Sequence, residues 1–333
     1  MINQAHLHIR DSSAVAEARR EVTGLARAAS FNESEVGRVA LVVTEAATNL
    51  VKHAGQGQLL AGVFDRGGVA VIELLAMDQG PGISNIGESL RDGYSTAGSP
   101  GTGLGAIKRL SDEFDIYSAP GKGVALLVQL WSRRAPSGNR PPPLEIGAVC
   151  LPFPGEVACG DGWAVEWRDG HCVILVVDGL GHGASAATAA MTAVDAFRTH
   201  PQHEPAALIE YAHGALRSTR GAAMAVADID LDREVKYAGI GNISGVILAP
   251  GGARHMVSHA GIVGHEARKF QEFVYPWTQD SLLIMHSDGL ATHWNLDQYP
   301  GLVGRRPSLI AGVLYRDFTR GRDDVTVVVA KKQ

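Results

Sequence analysis

Two sets of residues in this 333-residue chain have the types and spacing to handle phosphate. The first runs Glu45-Ala-Ala-Thr-Asn49, Asp78-Gln-Gly80-Pro-Gly82 and Gly101-Thr-Gly103-Leu-Gly105. Glu45 and Asn49 stand four apart on an expected helix and share a face, which His53 extends. Asp78 follows an apolar run and precedes Gly80 and Gly82, where backbone can approach a flat ligand closely. Gly101, Gly103 and Gly105 open a helix, whose free N–H groups and dipole favour an anion. No strand stands immediately before these glycines and no Gly-Lys-Ser/Thr follows, which excludes a dinucleotide fingerprint and a P-loop. Singly, each piece is an ordinary helix face, turn or helix start. The ordered set can hold ATP.

The second set is Asp161, Asp178-Gly179, Asp288-Gly289 and Asp323-Asp324. Asp169-Gly170 reads as a two-residue hairpin loop, which makes Arg168 face His171. Carried back along both strands, the same register makes Asp161 face Asp178. Like charges opposite one another destabilise a hairpin unless a cation relieves them. Asp288 follows an apolar strand, Leu282–Met285, and Asp323 precedes the last one, Val325–Ala330. Carboxylates so placed can gather at one edge of a sandwich, and oxygen ligands select Mg²⁺ or Mn²⁺ over zinc. Any one Asp-Gly pair is a turn former; four such acids together read as a metal site. His182, between two glycines, reads as a loop residue, and Cys159 as a small buried one.

The elements that position these residues divide into two domains, as the length requires. Ala135-Pro-Ser-Gly-Asn-Arg-Pro-Pro-Pro143 is an extended spacer, so residues 1–134 form one domain, 135–143 a linker and 144–333 the second domain. In the first, Asn32 and Glu35 form a capping box for a helix running to about His53 and stopped by Gly55. Strands are expected at Leu59–Phe64, Val69–Leu75, Phe114–Ser118 and Val124–Leu130, with a helix at Leu104–Leu110. These predict a mixed sheet with helices on one face. The second domain alternates strands with Gly turns around one Ala-rich helix, Ser185–Arg198. An α+β sandwich fits it better than a doubly wound sheet, because crossover helices are too few.

Hydrophobic residues make up 45% and charged residues 20%, with a formal net charge of −5 and no long basic run. That speaks against nucleic acid as a partner. No apolar stretch reaches membrane-spanning length and the N-terminus has no leader pattern, so a cytoplasmic protein is expected. Three cysteines without CxxC spacing indicate neither a disulfide framework nor a zinc site.

The order Glu45…Asn49, Asp78-x-Gly-x-Gly82, Gly101-x-Gly-x-Gly105 resembles the GHKL ATPase superfamily, whose domain is an α/β sandwich. Within it, Ala46-Ala-Thr-Asn-Leu-Val-Lys-His-Ala54 and Gly103-Leu-Gly-Ala-Ile-Lys-Arg-Leu-Ser-Asp-Glu-Phe114 look like the small serine kinases of bacterial stress signalling, the RsbT and RsbW type. The resemblance covers roughly Ser34 to Leu130. It implies that Asn49 helps hold Mg²⁺ on the triphosphate, that Asp78 receives the adenine amino group and that the glycines line the phosphates. Residues 92–100 become a lid and Glu45 the general base for a protein serine. Val124 departs from the pattern, standing where relatives often have threonine. No phosphoacceptor histidine domain precedes the module, which makes a histidine kinase the poorer reading.

Gly160-Asp-Gly-Trp163, Val176-Val-Asp-Gly-Leu-Gly-His-Gly183, Ser287-Asp-Gly-Leu290 and Gly321-Arg-Asp-Asp-Val-Thr326 look like the metal-dependent Ser/Thr phosphatases, of the SpoIIE and RsbX type. That match runs from about Val149 to Lys331 and implies a β-sandwich flanked by helices. It implies that Asp178 bridges two metals with the Gly179 carbonyl completing the first site. Asp288 and Asp323 supply the second, and Asp161 binds through water or directly. A metal-bridging hydroxide then attacks phosphoserine, with Asp324 and His182 adjacent.

Together the resemblances imply a bifunctional regulator that phosphorylates and dephosphorylates serine on a STAS-domain anti-sigma antagonist or a stressosome-like protein. One alternative keeps the phosphatase and makes the first domain a nucleotide sensor without transfer. The other makes the first domain a module that sequesters a sigma factor.

Overall fold

A computed structural model describes residues 4–90, 103–132, 143–168, 170–200 and 204–333. Gly101, the expected lid at 92–100, Asp169 and the linker up to residue 142 lie outside the described residues. The chain forms two compact units, one from Ile2–Pro141 with Asn295–Arg316, the other from Pro142–Trp294 with Asp317–Gln333.

The first unit contains β1 (Ala5–Ile9), α1 (Ser12–Ala28), α2 (Glu33–Asn49), β2 (Gly57–Asp65), β3 (Ala70–Met77), the short α3 (Ile86–Ser89), α4 (Gly103–Leu110), β4 (Glu113–Ser118) and β5 (Val124–Trp131). The capping box forms as expected: Asn32 Oδ1 accepts from Glu35 N–H and Glu35 Oε2 from Asn32 N–H. A π-helical turn, Leu50–Ala54, continues α2 up to Gly55, which adopts φ 78° and ends it. The strands pair in the order β1-β2-β3-β5-β4, and every pairing is antiparallel. The expected mixed sheet is therefore corrected. Its strands are joined mainly by tight turns or by helices that return on one face, which suits antiparallel neighbours.

Along β3 the period of two assigns each residue to a face. Ile72, Leu74 and Ala76 join Val39, Val42, Val43 and Ala46 of α2 in the core beneath α1, α2 and α4. Val71, Glu73, Leu75 and Met77 point the other way and are also buried.

The second unit contains β6 (Leu144–Leu151), β7 (Asp161–Arg168), β8 (His171–Gly179), α5 (Ala184–Thr199), α6 (Pro205–Ala215), β9 (Ala222–Asp230), β10 (Glu234–Ile240), β11 (Ser244–Ala249), β12 (Gly252–His255), β13 (Phe273–Pro276), β14 (Leu282–His286) and β15 (Val325–Lys332). A further helix, α7 (Pro307–Phe318), lies between the last two strands in sequence. Two five-stranded sheets, β13-β10-β9-β8-β7 and β12-β11-β14-β15-β6, are stacked. The core between them holds Ile174, Val176, Ala225, Tyr237, Met285 and Val328. On β8 the alternate residues Val173, Leu175 and Val177 face α5 and α6 instead. This is the expected sandwich with flanking helices.

Helix α7 runs through the boundary of the two units, and its residues up to Arg316 cluster with the first. Its Gly312 has room for no side chain beyond a methyl: a Cβ there would stand 3.0 Å from Met77 Sδ and 3.4 Å from Leu75. Ser308 Oγ donates to Glu73 Oε2 at 2.9 Å, and Gln129 Nε2 donates to the same oxygen at 2.5 Å. Arg306 pairs with Glu113, and Arg305 with Asp115 at 3.2 Å. The sheet of the first unit is thus covered on both faces. Helices on one face alone, as the sequence suggested, would have left Leu75 and Met77 in water.

Candidate functional sites

In the first unit, α2 brings Glu45 and Asn49 half-buried to the start of α4. A Cβ on Gly103 would stand 3.2 Å from Asn49 Oδ1 and 3.5 Å from Glu45 Oε2, so glycine lets the helix end close over both side chains. Gly105, two residues further on, is buried. Asp78 leaves β3 only 8% exposed. Its Oδ1 accepts from Gly80 N–H at 2.8 Å and Val124 N–H at 3.2 Å. Burial raises its pKa, and the two backbone N–H groups, Arg316 and His53 oppose that rise.

Gly82 and Gly123 adopt φ 77° and 67°, and a Cβ on either would collide with backbone, Ala119 O and Asp78 O respectively. Of the expected residues, Glu45, Asn49 and Gly103 thus meet at the start of α4, where Gly105 is buried, and Asp78, Gly80 and Gly82 form a second cluster in the same unit. Gly123, Ser118 and Arg316 complete it and were not foreseen. Ser118 Oγ accepts from Ile83 N–H and donates to Gly123 O, both at 2.7 Å. Arg316 Nη1 donates to Asp78 O at 2.9 Å. Gly123 had a visible signal, the Gly-Lys-Gly between two strands. Arg316 had none, lying 238 residues along the chain from Asp78.

In the second unit, Asp161 faces Asp178 in the β7–β8 register and Arg168 faces His171, as the turn arithmetic required. Asp161 is 1% exposed. Its pKa is raised well above the ordinary value, first by burial and then by Asp178, against a 2.6 Å hydrogen bond donated by Ser287 Oγ. Asp178 is pushed up to about 8 by burial and by the charges of Asp288, Asp323 and Asp324. Five carboxylates therefore act on one another in one place.

They do so as a field and not as a closed cage. Among the described residues no three His, Cys, Asp or Glu side chains are close enough to hold one ion between them. Coulombic coupling reaches beyond coordination distance, so the two findings are compatible. The donor set is all oxygen, and the raised pKa values of Asp161, Asp178 and Asp324 are what a hard divalent cation would relieve.

Close backbone approaches hold the set together. Gly179 N–H donates to Gly160 O at 3.0 Å, and a Cβ on Gly289 would strike Asp324 O. Asn242 Nδ2 donates to Asp288 Oδ2 at 2.8 Å, and Phe153 N–H to Asp324 Oδ1 at 2.8 Å. His182 is more than a loop residue. It stacks on Phe153 with ring centroids 4.7 Å apart and pairs through Nδ1 with Glu156 Oε1 at 3.0 Å. Behind Ser287, His286 accepts from Trp294 at Nε2, so its Nδ1 donates to Ser287 O, and burial keeps it neutral by lowering its pKa. Ser287 was legible as part of a motif, whereas Asn242, Phe153 and Glu156 carried no signal of their own.

Residues 10–129 match the family described as the histidine kinase-like ATPase domain, and residues 168–333 match Stage II sporulation protein E (SpoIIE). The serine/threonine-protein kinase RsbT of Bacillus subtilis (strain 168) is 34% identical over 134 residues, which is 40% of this chain and 100% of RsbT. The chain belongs to the RsbT kinase family. Behind its RsbT-type module, the part of the chain from residue 168 onwards is similar to SpoIIE.

A solved chain from work on the bacterial stressosome, described as a modular system adapted to control secondary messenger signalling, has a TM-score of 0.52 and 28% identity. It is matched over 99% of its length and 56% of this chain. RsbX crystallised with magnesium has a TM-score of 0.53 at 21% identity over 98% of its length and 59% of this chain, which shows a shared fold. The SpoIIE match begins seven residues beyond Asp161, so the place of Asp161 in the candidate metal site rests on the strand register.

Proposed function

We propose that this protein both adds phosphate to a protein serine and removes it, as a regulator of a bacterial partner-switching system. The observation that carries the reading is Asp161 facing Asp178 within the field of Asp288, Asp323 and Asp324, in a chain that also gathers Glu45, Asn49 and Gly103.

In the kinase module Glu45 takes the proton of the attacking serine hydroxyl, and Asn49 holds Mg²⁺ on ATP. Asp78 offers Oδ2 to the adenine amino group, because Oδ1 is engaged by Gly80 and Val124. Gly80, Gly82, Gly101, Gly103 and Gly105 let backbone approach the nucleotide.

In the phosphatase domain two Mn²⁺ or Mg²⁺ ions, when bound, supply charge neutralisation and Lewis-acid activation. Asp178, the Gly179 carbonyl, Asp288 and Asp323 would hold them, with Asp161 contributing directly or through water. Ser287 steers Asp161 and Asn242 steers Asp288, so the chain fixes which oxygens face inwards. The substrate we propose is a STAS-domain anti-sigma antagonist or a stressosome protein in the cytoplasm. Relatives of both halves support it: RsbT by its kinase activity, and the stressosome chain by its assembly.

The test is the intact mass of a STAS-domain protein encoded beside this one, after incubation with ATP, Mg²⁺ and the Asp178→Ala protein. Gain of one phosphate, lost when Glu45→Ala is added, is the expected result. No gain with ATP still bound would overturn transfer and leave a nucleotide-regulated phosphatase.

A further inference from the structure

We infer that Cys150 and Cys159 form a dithiol–disulfide pair that a hydroperoxide closes, and that closing it slows the phosphatase. Nothing in the mechanism above uses either thiol. All three cysteines are unbridged, and Cys150 Sγ and Cys159 Sγ lie 3.8 Å apart, in direct contact.

The two sulfurs differ in how they are held. Cys150 sits on β6, fixed in register opposite Thr326 of β15. Cys159 lies in the irregular connection between β6 and β7, is only partly buried, and has the 98% exposed Val157 two residues before it. A disulfide needs the sulfurs at about 2 Å. The connection can supply that movement where paired strands could not. Cys172 is buried in the core between the sheets and serves as an internal reference.

The chemistry balances with hydrogen peroxide as oxidant. The Cys159 thiol takes one oxygen atom to become a sulfenic acid and releases water. The Cys150 sulfur then attacks that sulfur, and the leaving hydroxide departs with the Cys150 proton as a second water. Two thiols and one peroxide give one disulfide and two waters.

Closing the bond pulls on residues that shape the metal-site field. Cys159 precedes Gly160, whose carbonyl accepts from Gly179 and whose missing side chain leaves room for the Asp324 carboxylate. Asp161 follows directly, and its own carbonyl lies 4.0 Å from Cys150 Sγ. The same connection carries Phe153, which donates to Asp324. A displacement of more than about 0.5 Å is enough to spoil a catalytic constellation.

The test uses the full-length protein, reduced, freed of metal and treated with hydrogen peroxide. The peroxide is removed before Mn²⁺ and p-nitrophenyl phosphate are added. Mass after denaturing alkylation is expected to show one modified cysteine where the reduced protein shows three, with a peptide linking Cys150 to Cys159. The oxidised protein is expected to turn over at least fivefold more slowly and to recover with dithiothreitol, while Cys159→Ser keeps its rate through peroxide. Three alkylated cysteines, oxygen added without a link, or a link to Cys172 would overturn the pair. A Cys150–Cys159 link with an unchanged rate would overturn the switch. The mass result is independent of any activity. The rate arm rests on the phosphatase reading, which the reduced protein's own rate tests separately.

Discussion

Asp178 carries a charge penalty that the fold must offset, and the sign of its pH effect follows. Its pKa in the folded chain is about 8, above the ordinary carboxylate range, so the folded state holds that proton more tightly than the unfolded one. Metal-free protein should have this contribution in full below about pH 4. It should lose it progressively as the pH rises to about 8. Thermal melts in chelator should fall across that window. Asp178→Asn should flatten the slope, and Mn²⁺ should reverse it by favouring the ionised form. Gly123 makes a different demand, because φ 67° and the Asp78 carbonyl leave no space for a Cβ. Gly123→Ala should cost about 1–3 kcal/mol in urea melts and weaken ATP binding, since Asp78 must move. At this scale the facing of Asp161 and Asp178 was legible because a two-residue turn sets the register. Ser118, Asn242 and Phe153 were not, because a lone polar or aromatic residue takes its partner from tertiary packing.

Single elements show where local sequence is enough and where it is not. The capping box at Asn32 and Glu35 and the stop at Gly55 were readable, since both depend on near neighbours. Strand β1 and helix α1 were not foreseen. On α1 only Ala18, Val22, Thr23 and Ala26 are fully buried, a narrow stripe among Arg and Glu residues. The placing of α7 depended on β3, whose near-continuous apolar run marks a strand buried on both faces. Gly312 is the close-contact point of that packing. Gly312→Leu should destabilise the first unit by about 1–3 kcal/mol through overpacking against Met77 and Leu75. A shift in the urea midpoint with an unchanged slope would register it.

At the scale of the molecule, the sequence boundary and the packing boundary differ. The Pro-rich spacer divides the chain near residue 141, yet Asn295–Arg316 belongs with the earlier half. A fragment of residues 1–134 should therefore bind the dye ANS and melt at lower temperature than the same unit in the whole chain, having lost the cover over Leu75 and Met77. Equal melting of the two would refute that dependence. The two chemistries were legible as motifs because phosphate and metal ligands must be of particular types. The crossing of the boundary was not, because it is made of ordinary apolar contacts, one serine and three arginines, Arg305, Arg306 and Arg316.

The pairing of β6 with β15 has a consequence for how the protein is made. Among the described residues, β6, the first strand of the second unit, pairs only with β15, with most of the unit's sequence between them. Such distant contacts make for slow closure. Until β15 has been made, β6 therefore has no strand to pair with, and the candidate metal site lacks Asp323 just before it. The second sheet therefore closes late, joining the two ends of the unit only after the strands between them exist.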